Sequence, residues 1–365
     1  MSYRYIGNKT RFLKQLMSAI SDLAQPGQVV ADLMCGTAAV SEALRTSGYK
    51  VIASDLMTFS AQHATVRLTL DSPPSFSKLG GSYFAVLDHL QSLRPVEGYM
   101  TREYSPAGRP TAGCPPRMYL SESNARLIDA INRQLNIWNA EGLLTHQERC
   151  LLRHDLVLAT NRIANIAGTY GHYRSKWSNG ALSRLLLLPA EFVWGFSCDH
   201  VVMQGPAESV SQGMRADLCY IDPPYMKRQY AANYHLIETI ARGDEPEAIG
   251  VSGLRPWRDQ YSDFCSKLRI RDAFTKIIRG MNCPKFLISY SEDGLLSKEE
   301  LLALLRQFGD AELSEYNVPR FRSNNSPLDR TMSEYLLTLK RPDARTSCRP
   351  SLPLHPQAQR ASDAR

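Results

Sequence analysis

Short apolar runs recur along the chain and predict buried β-strands. Five of them are nearly continuous, at residues 29–31, 51–53, 201–203, 218–221 and 286–288. Continuous apolarity is typical of strands buried on both faces of a parallel sheet, because a half-exposed strand alternates apolar with polar residues. Two further strands are predicted near the end of the chain, at 313–318 and 334–339.

Helical patterns separate several of these strands. Apolar residues recur at helical spacing within residues 12–20 and again within 39–44. Because strands that alternate with helices build layered α/β folds, the chain is predicted to form a doubly wound, mostly parallel sheet.

One long stretch breaks this alternation. Residues 61–196 show no strand–helix–strand period, but they contain two long helical patterns, at 127–138 and 151–166. Ser121 is placed to cap the first of them, because a side-chain oxygen there accepts from the open end of a helix. We therefore predict a mainly helical insertion, which would leave recognition of a target to a part of the chain that the sheet does not need.

The remaining residues are assigned by exclusion. The sheet domain is predicted to comprise residues 1–60 and 197–340. Residues 341–365 are rich in arginine and proline and poor in large apolar side chains, so they are predicted to be a disordered tail.

Composition excludes several classes of protein. The chain has 365 residues, of which 43% are hydrophobic and 22% charged, values typical of a globular protein. The eight cysteines form no CxxC pair, so neither a metal site nor a disulfide framework is expected. There is no membrane-length apolar run and no signal-peptide pattern, and a cytoplasmic protein is therefore expected. The net charge of +7 permits a polyanionic partner without requiring one.

The first candidate chemistry follows the first strand. Residues 32–38 read Asp-Leu-Met-Cys-Gly-Thr-Ala and lead into a helix, an order that suits a nucleotide-type pocket because glycine lets a ligand approach the backbone. Asp55 ends the second strand, where an acid commonly accepts from ribose hydroxyls. Together they suggest a cofactor that contains adenosine, although a tight turn with a helix cap explains the same residues. The GxGxxG fingerprint is absent, which disfavours a dehydrogenase.

The second candidate chemistry is Asp222-Pro223-Pro224-Tyr225, directly after the fourth apolar run. Two prolines stiffen the loop and remove two N–H donors, so the corner offers acceptors: the Asp222 carboxylate and backbone carbonyls. An aromatic ring follows at once. Acceptors beside a stacking plane suit an amino group on a flat heterocycle.

These motifs, together with Tyr5-Ile6-Gly7-Asn8-Lys9, resemble the adenine-specific DNA methyltransferases of the DNA adenine methylase type, and most closely their restriction–modification branch. The resemblance covers most of residues 3–340. It includes four further segments, at 119–131, 168–173, 228–235 and 289–291.

The resemblance implies that S-adenosylmethionine is the cofactor. The positions that it assigns to the cofactor are Tyr5, Lys9, Asp32, Gly36, Asp55 and Asp222. There is one departure, because the family motif usually has a second glycine where this chain has Ala38.

The resemblance also implies a reaction at the N6 amino group of adenine. That nitrogen is a poor nucleophile because its lone pair is delocalised into the ring. Asp222 and the Pro223 carbonyl would accept its two hydrogens, and Tyr225 would stack on a base flipped out of the duplex. An enzyme for the cytosine amino group would more often carry serine at the position of Asp222.

The DNA surface is predicted from charge. Residues 156–190 contain no acid, and Arg174 and Lys176 lie there beside Tyr170. A one-signed strip with aromatic residues suits phosphate contact, although a helix end with incidental charge explains it too. Arg228 and Gln229 are further predicted DNA contacts. The loop at 320–325, which carries two arginines and two asparagines, could border the DNA or simply be exposed.

We therefore expect a site-specific enzyme that methylates adenine in double-stranded DNA, with a restriction endonuclease of the same specificity as a possible partner. Two alternatives stay open. One is N6-adenine methylation of RNA, and the other is a catalytically silent DNA-binding protein of the same fold.

Overall fold

The computed structural model describes residues 4–111, 113–195, 199–319 and 331–342. Seven strands of this part of the chain form one sheet in the order β3-β2-β1-β4-β5-β7-β6. The strands are β1 (Val29–Asp32), β2 (Lys50–Asp55), β3 (Val201–Gln204), β4 (Leu218–Ile221), β5 (Lys285–Ser291), β6 (Asp310–Pro319) and β7 (Thr331–Lys340). β1 to β5 are parallel, and β7 runs antiparallel between β5 and β6. The predicted α/β fold with a mostly parallel sheet is confirmed.

Helices cover both faces of the sheet and fill the long interval before β3. The α-helices of the described residues are α1 (Leu13–Leu23), α2 (Ala39–Thr46), α3 (Thr58–Thr69), α4 (Tyr83–Ser92), α5 (Tyr99–Tyr104), α6 (Glu122–Ala140), α7 (His146–Ile163), α8 (Ala207–Val210), α9 (Tyr230–Asn233), α10 (His235–Arg242), α11 (Ile270–Gly280) and α12 (Lys298–Leu305). Ser121 caps α6 as predicted, since its side chain accepts from the Asn124 amide. No helix among them is long and apolar enough to cross a membrane.

The order of the strands in the sheet determines where a ligand can bind. All four residues of β4 are buried, as its continuous apolarity predicts. β1 pairs with β2 on one side and β4 on the other. The chain goes from β1 outward to β2 and β3, and then crosses back to β4. The carboxyl ends of β1 and β4 therefore flank a point where the strand order reverses, which is where open α/β sheets bind ligands.

Helices α4 to α7 lie in the chain between α3 and β3, where the insertion was predicted. Their apolar core is continuous with that of α3 and α10, through residues such as Phe59 and Ile240. The domain bounds stay a prediction, and most of the predicted tail, at 343–365, lies outside the described residues.

A buried arginine on α2 contacts both ends of this helical region. Arg45, on α2, is fully buried and donates to the carbonyls of Leu70 (3.1 Å), Val193 (2.7 Å) and Gly195 (2.8 Å). Because backbone carbonyls satisfy a buried guanidinium without needing an acid, these contacts hold the two ends of this helical region against α2.

Candidate active site at the sheet edge

Asp32 is the last residue of β1 and is buried at the carboxyl edge. Its Oδ2 accepts from the Ser41 hydroxyl at 2.6 Å. Its Oδ1 is buried and has no hydrogen-bond partner within the described residues. Burial raises the pKa of Asp32 to about 7, although the Ser41 hydroxyl opposes the shift. The site therefore holds an acceptor that a ligand could satisfy.

Asp55, the last residue of β2, organises the neighbouring turn. Its Oδ2 accepts from the Gly36 amide and its Oδ1 from the Met57 amide, each at 2.8 Å. Burial raises the pKa of this carboxyl to about 6, against the effect of the two amides. Each carboxylate oxygen has a second lone pair, so Asp55 retains capacity to accept from ligand hydroxyls.

Gly36 brings the turn against the N-terminal segment. It has φ +51°, and a Cβ atom there would lie 2.9 Å from Cε1 of Tyr5. The Tyr5 ring also stacks on Tyr234 with the centroids 5.0 Å apart, and it lies 5.5 Å from Tyr230. Only glycine accommodates this close approach, because any other side chain would displace the tyrosine.

Ala38 takes the backbone conformation that explains the glycine usual at its position. It has φ 59° and ψ 19°, in the left-handed region, and it is the N-cap of α2. It is fully buried. A Cβ atom in this conformation costs roughly 1 kcal/mol or more, so the chain tolerates the alanine as local strain.

A second cluster forms where the Asp-Pro-Pro-Tyr loop leaves β4. The Tyr225 hydroxyl lies 2.8 Å from Oδ1 of Asp222 and 2.8 Å from Oε1 of Glu334. Lys9 Nζ lies 3.3 Å from Asp222 Oδ1 and also contacts Tyr225 and Glu334. Ser289 Oγ donates to Glu334 at 2.8 Å. Five polar side chains from four segments thus meet in one buried network, which we call the lysine cluster.

Local structure explains how Lys9 reaches this cluster. It begins a short 3-10 turn, Lys9–Arg11, that Asn8 caps by accepting from the Thr10 amide at 2.9 Å. The Ile6 amide donates to Tyr234 Oη at 2.7 Å, which anchors the preceding residues. The turn therefore directs the lysine inward from a segment that has no strand or long helix of its own.

The charges of the lysine cluster affect one another. Burial raises the pKa of Asp222 to about 6; Lys9 opposes the shift and the like charge of Glu334 adds to it. Burial alone would lower the pKa of Lys9, but the two carboxylates outweigh it and raise the pKa. The charges of Asp222 and Asp55 also raise the pKa of Asp32, so the two groups of acids form one electrostatic site.

The structure brings together most of the residues predicted for this site. Around the β1 and β2 ends lie Tyr5, Asp32, Gly36 and Asp55, and around the β4 end lie Lys9, Asp222, Pro223 and Tyr225. Their chemical roles stay predictions. The Tyr225 ring, predicted to stack on a base, packs edge-on against Tyr290 at 5.3 Å while its hydroxyl enters the lysine cluster.

Two residues of the lysine cluster were missed by the sequence argument. Ser289 lies in a segment that carried the family resemblance, but no role was predicted for it. Glu334 is the polar first residue of the predicted strand 334–339. Its position becomes clear only from the antiparallel pairing of β7 with β5, which sets Glu334 opposite Ser291. A single acid before an apolar run carries no such signal.

The residues predicted to contact DNA divide into two groups. Arg174, Lys176 and Arg228 are exposed. Tyr170 is fully buried and donates to Asn161 at 3.0 Å, so its ring belongs to the packed core, and its contact with DNA stays a prediction.

Gln229 is also buried, and its contact with DNA stays a prediction. Its amide donates to the Ser262 carbonyl at 3.0 Å and accepts from the Ser262 amide at 2.9 Å. Both of its polar atoms therefore hold the loop in place. The predicted DNA-bordering loop at 320–325 lies outside the described residues.

Comparison with known proteins shows the family to which the chain belongs. Residues 5–304 match the family model of the D12 class N6 adenine-specific DNA methyltransferases, and the chain belongs to this family. The resemblance seen in its motifs is thereby confirmed.

Curated relatives include enzymes of restriction–modification systems. The chain is 33% identical over 354 residues to the type II methyltransferase M.FokI of Planomicrobium okeanokoites. This alignment covers 94% of this chain and 53% of the relative. It is 30% identical to modification methylase StsI of Streptococcus sanguinis, over 93% of this chain and 52% of the relative. It is 30% identical to the type II methyltransferase M.NlaIII of Neisseria lactamica, over 88% of this chain and 93% of the relative. The chain thus spans about half the length of the first two.

Proposed function

We propose that this protein transfers a methyl group from S-adenosylmethionine to the N6 amino group of adenine in double-stranded DNA. The observation that carries the proposal is the lysine cluster beside Asp32 and Asp55, in a chain of the D12 family. We further propose that it serves as the modification enzyme of a restriction–modification system, because its relatives are named as such methylases. A restriction endonuclease acting on the same site is the partner that this role implies.

The acids at the ends of β1 and β2 fit the proposed cofactor. Asp55 has acceptor capacity left for the ribose hydroxyls. Asp32 offers the buried, unpartnered Oδ1 to a donor. Gly36 leaves the turn without a side chain that would keep a ligand from the backbone. When bound, S-adenosylmethionine supplies an electrophilic methyl group on a sulfonium.

Asp222 is arranged to accept from the target amino group. Its Oδ1 is held by Tyr225 and Lys9, whereas Oδ2 receives no hydrogen bond from any described residue. The side chain is 16% exposed, so Oδ2 can be reached. Binding of the amino hydrogens by Asp222 and the Pro223 carbonyl favours a pyramidal nitrogen with a localised lone pair. Acceptors fixed in advance stabilise the positive charge that develops there in the transition state.

The target base must leave the duplex to reach this buried edge of the sheet. Flipping costs a few kcal/mol, which stacking and hydrogen bonds in the pocket offset. We propose that the base lies against the Tyr225 side of the loop, whose ring position is set by the hydroxyl contacts of the lysine cluster.

The decisive test is to incubate the purified chain with duplex DNA and S-adenosylmethionine and to map modified bases by sequencing. We expect N6-methyladenine within one short sequence, with no product from Asp222→Ala. Methylation of RNA alone would establish the RNA alternative. DNA binding without any transfer would establish the silent DNA-binding protein, and methylcytosine would show that the target base is wrong.

For the DNA surface, we propose that Arg174, Lys176 and Arg228 contact phosphates. The first two are exposed in the acid-free stretch at 156–190. Each phosphate contact contributes a slope of about −0.9 to log K against log salt. The double variant Arg174→Ala/Lys176→Ala should therefore flatten the slope by nearly two units and leave cofactor affinity unchanged.

A matched double variant is available at the opposite end of the sheet. Arg306 and Lys340 are exposed, and Lys340 pairs with Lys285 at the amino end of the parallel strand β5. Arg306→Ala/Lys340→Ala should leave the salt slope as in the wild type. Equal slopes in all three proteins would move the DNA surface away from Arg174 and Lys176.

A further inference from the structure

Glu334 is a buried acid for which the motifs provide no role. It lies in β7, and its side chain is only 6% exposed. β7 is antiparallel to β5, so residues near its start lie at the carboxyl edge of the parallel strands. Glu334 therefore reaches the same edge as Asp222 from the opposite chain direction, and both meet at Tyr225.

We propose that Glu334 is a positioning residue of this active site: it holds Lys9 and Tyr225 so that Asp222 keeps one carboxylate oxygen for the target amino group. The inference rests on the proposed methyl transfer. It adds to it a second carboxylate that does not touch the substrate but controls the first one.

The number of hydrogens that Tyr225 and Lys9 can donate supports these separate roles of Asp222 and Glu334. The Tyr225 hydroxyl has one hydrogen but lies 2.8 Å from both carboxylates, so it can donate fully to only one of them. The Lys9 ammonium has three hydrogens and contacts Tyr225, Glu334 and Asp222. Without Glu334, Lys9 and Tyr225 would both turn to Asp222, including the oxygen that the target needs.

The net charge of the lysine cluster also supports the proposed role of Glu334. The cluster contains one cation, Lys9, and two carboxylates, so one negative charge is in excess when both acids are ionised. In the reaction, the lone pair of the target nitrogen forms the new C–N bond, and the electrons of the broken C–S bond stay on sulfur. The nitrogen becomes positive and then loses one N–H proton to Asp222, which passes it to water. An excess negative charge favours the positive charge that develops on the nitrogen and the transfer of its proton to Asp222.

The titration of Asp222 reports this arrangement. The groups that face Asp222 are Lys9 from the N-terminal segment, Tyr225 from its own loop, Tyr220 from β4, Tyr230 from α9, Glu334 from β7 and Asp32 from β1. Burial raises the pKa of Asp222 to about 6, with Lys9 opposing and Glu334 adding to the shift. Glu334→Gln should therefore lower the pKa of Asp222, and Lys9→Met should raise it.

The experiment measures this pKa directly in the DNA-free protein. Aspartate labelled with ¹³C at the carboxyl carbon is followed by NMR through a pH titration, and Asp222→Asn identifies the Asp222 signal. The midpoint should move to lower pH in Glu334→Gln and to higher pH in Lys9→Met. If Glu334 only packed there and did not act on Asp222, the midpoint would not move in Glu334→Gln. Glu312→Gln, which removes an exposed carboxylate from β6, should leave the midpoint unchanged.

The second measurement is the single-turnover rate of methyl transfer. In Glu334→Gln we expect the rate to fall about tenfold or more, with the dissociation constants for cofactor and DNA within twofold of wild type. The acid limb of its pH profile should shift in the same direction as the NMR midpoint. An unshifted Asp222 midpoint, or a wild-type rate, would overturn the proposal.

The two proposals fail separately. If the wild type transfers no methyl group but the midpoints move as expected, the proposed function fails and the control of Asp222 by Glu334 stands. If transfer occurs and the midpoints do not move, the proposed function stands and the control of Asp222 by Glu334 fails. If Glu334→Gln does not fold, Lys9→Met still tests the proposal. An unmoved Asp222 midpoint in Lys9→Met would show that the shared lysine does not act on Asp222, and the proposal would be overturned.

Discussion

Two pairs of acids lie at the same edge of the sheet and are compensated in different ways. Asp32 and Asp55 accept from neutral donors, namely a serine hydroxyl and two backbone amides. Asp222 and Glu334 share the ammonium of Lys9. A buried acid held by neutral groups retains a demand for further donors, whereas a pair around one cation retains a single excess charge. The first pair is therefore suited to bind a ligand, and the second to compensate charge that appears during a reaction.

The largest predicted effect separates the two pairs by rate. Asp222→Ala should lower the single-turnover rate of methyl transfer about a hundredfold or more, since losing a charge-stabilising contact costs ~3 kcal/mol in the transition state. The fold should survive because Lys9 keeps Glu334 as its partner. Circular dichroism and the melting temperature check this. A rate near that of the wild type would remove Asp222 from the reaction.

The next effect separates them by affinity. Asp55→Ala should raise the dissociation constant of S-adenosylmethionine about ten- to a hundredfold, because a charge-assisted hydrogen bond contributes roughly 1.5–3 kcal/mol. Calorimetry on the DNA-free protein measures it. At saturating cofactor the rate should fall far less than in Asp222→Ala.

Asp22→Ala is the control for this variant, because Asp22 is exposed on α1. It should bind the cofactor as the wild type does. If Asp55→Ala also bound it with unchanged affinity, the pair at the ends of β1 and β2 would not be the cofactor site, and the division between the two pairs would be lost.

A smaller effect concerns stability and pH. Burial raises the pKa of Asp32 from the ordinary 3.8 to about 7, so the folded state binds more protons than the unfolded state between these values. The free energy of unfolding contributed by this group therefore falls as the pH rises through that interval. Asp32→Asn removes the titration and should stabilise the cofactor-free protein by roughly 1 kcal/mol at pH 8.

Urea unfolding at pH 5 and pH 8 checks this prediction, with the wild type measured beside the variant. The difference between the two proteins should be larger at pH 8 than at pH 5. The same variant should bind the cofactor more weakly, because its side chain offers one acceptor fewer. A variant that is less stable at pH 8 would show that the buried charge is better compensated than its contacts indicate.

Much of this edge could be predicted from the sequence, because local patterns determine it. The apolar runs predict the strands, and a motif that follows a strand must lie at its carboxyl end, which brings Asp32, Asp55 and Asp222 together. The place of Lys9 in the site could be predicted only from the family resemblance, because a short turn has no periodic pattern that would locate its side chain. Glu334 depends on long-range antiparallel pairing, which no local pattern contains.

Burial is the other property that the pattern of residues does not determine. Tyr170 and Gln229 look like surface groups beside basic residues, but the fold uses both for internal hydrogen bonds. Aromatic and amide side chains occur on surfaces and in cores alike, so composition cannot assign them. Arg174 and Lys176, which are long and charged, are exposed, as a contact with phosphates requires.

The smallest predicted effect concerns the turn that carries the first pair of acids. Ala38 has φ 59°, so Ala38→Gly relieves the left-handed strain but makes the unfolded chain more flexible. The net gain in the free energy of unfolding should be below about 1 kcal/mol. Ala43→Gly is the matched control, because Ala43 lies within α2 and glycine there should cost about 1 kcal/mol. Urea unfolding of both variants should thus show opposite signs. Two losses of equal size would mean that the turn is not strained and that the alanine fits the cofactor loop as well as glycine would.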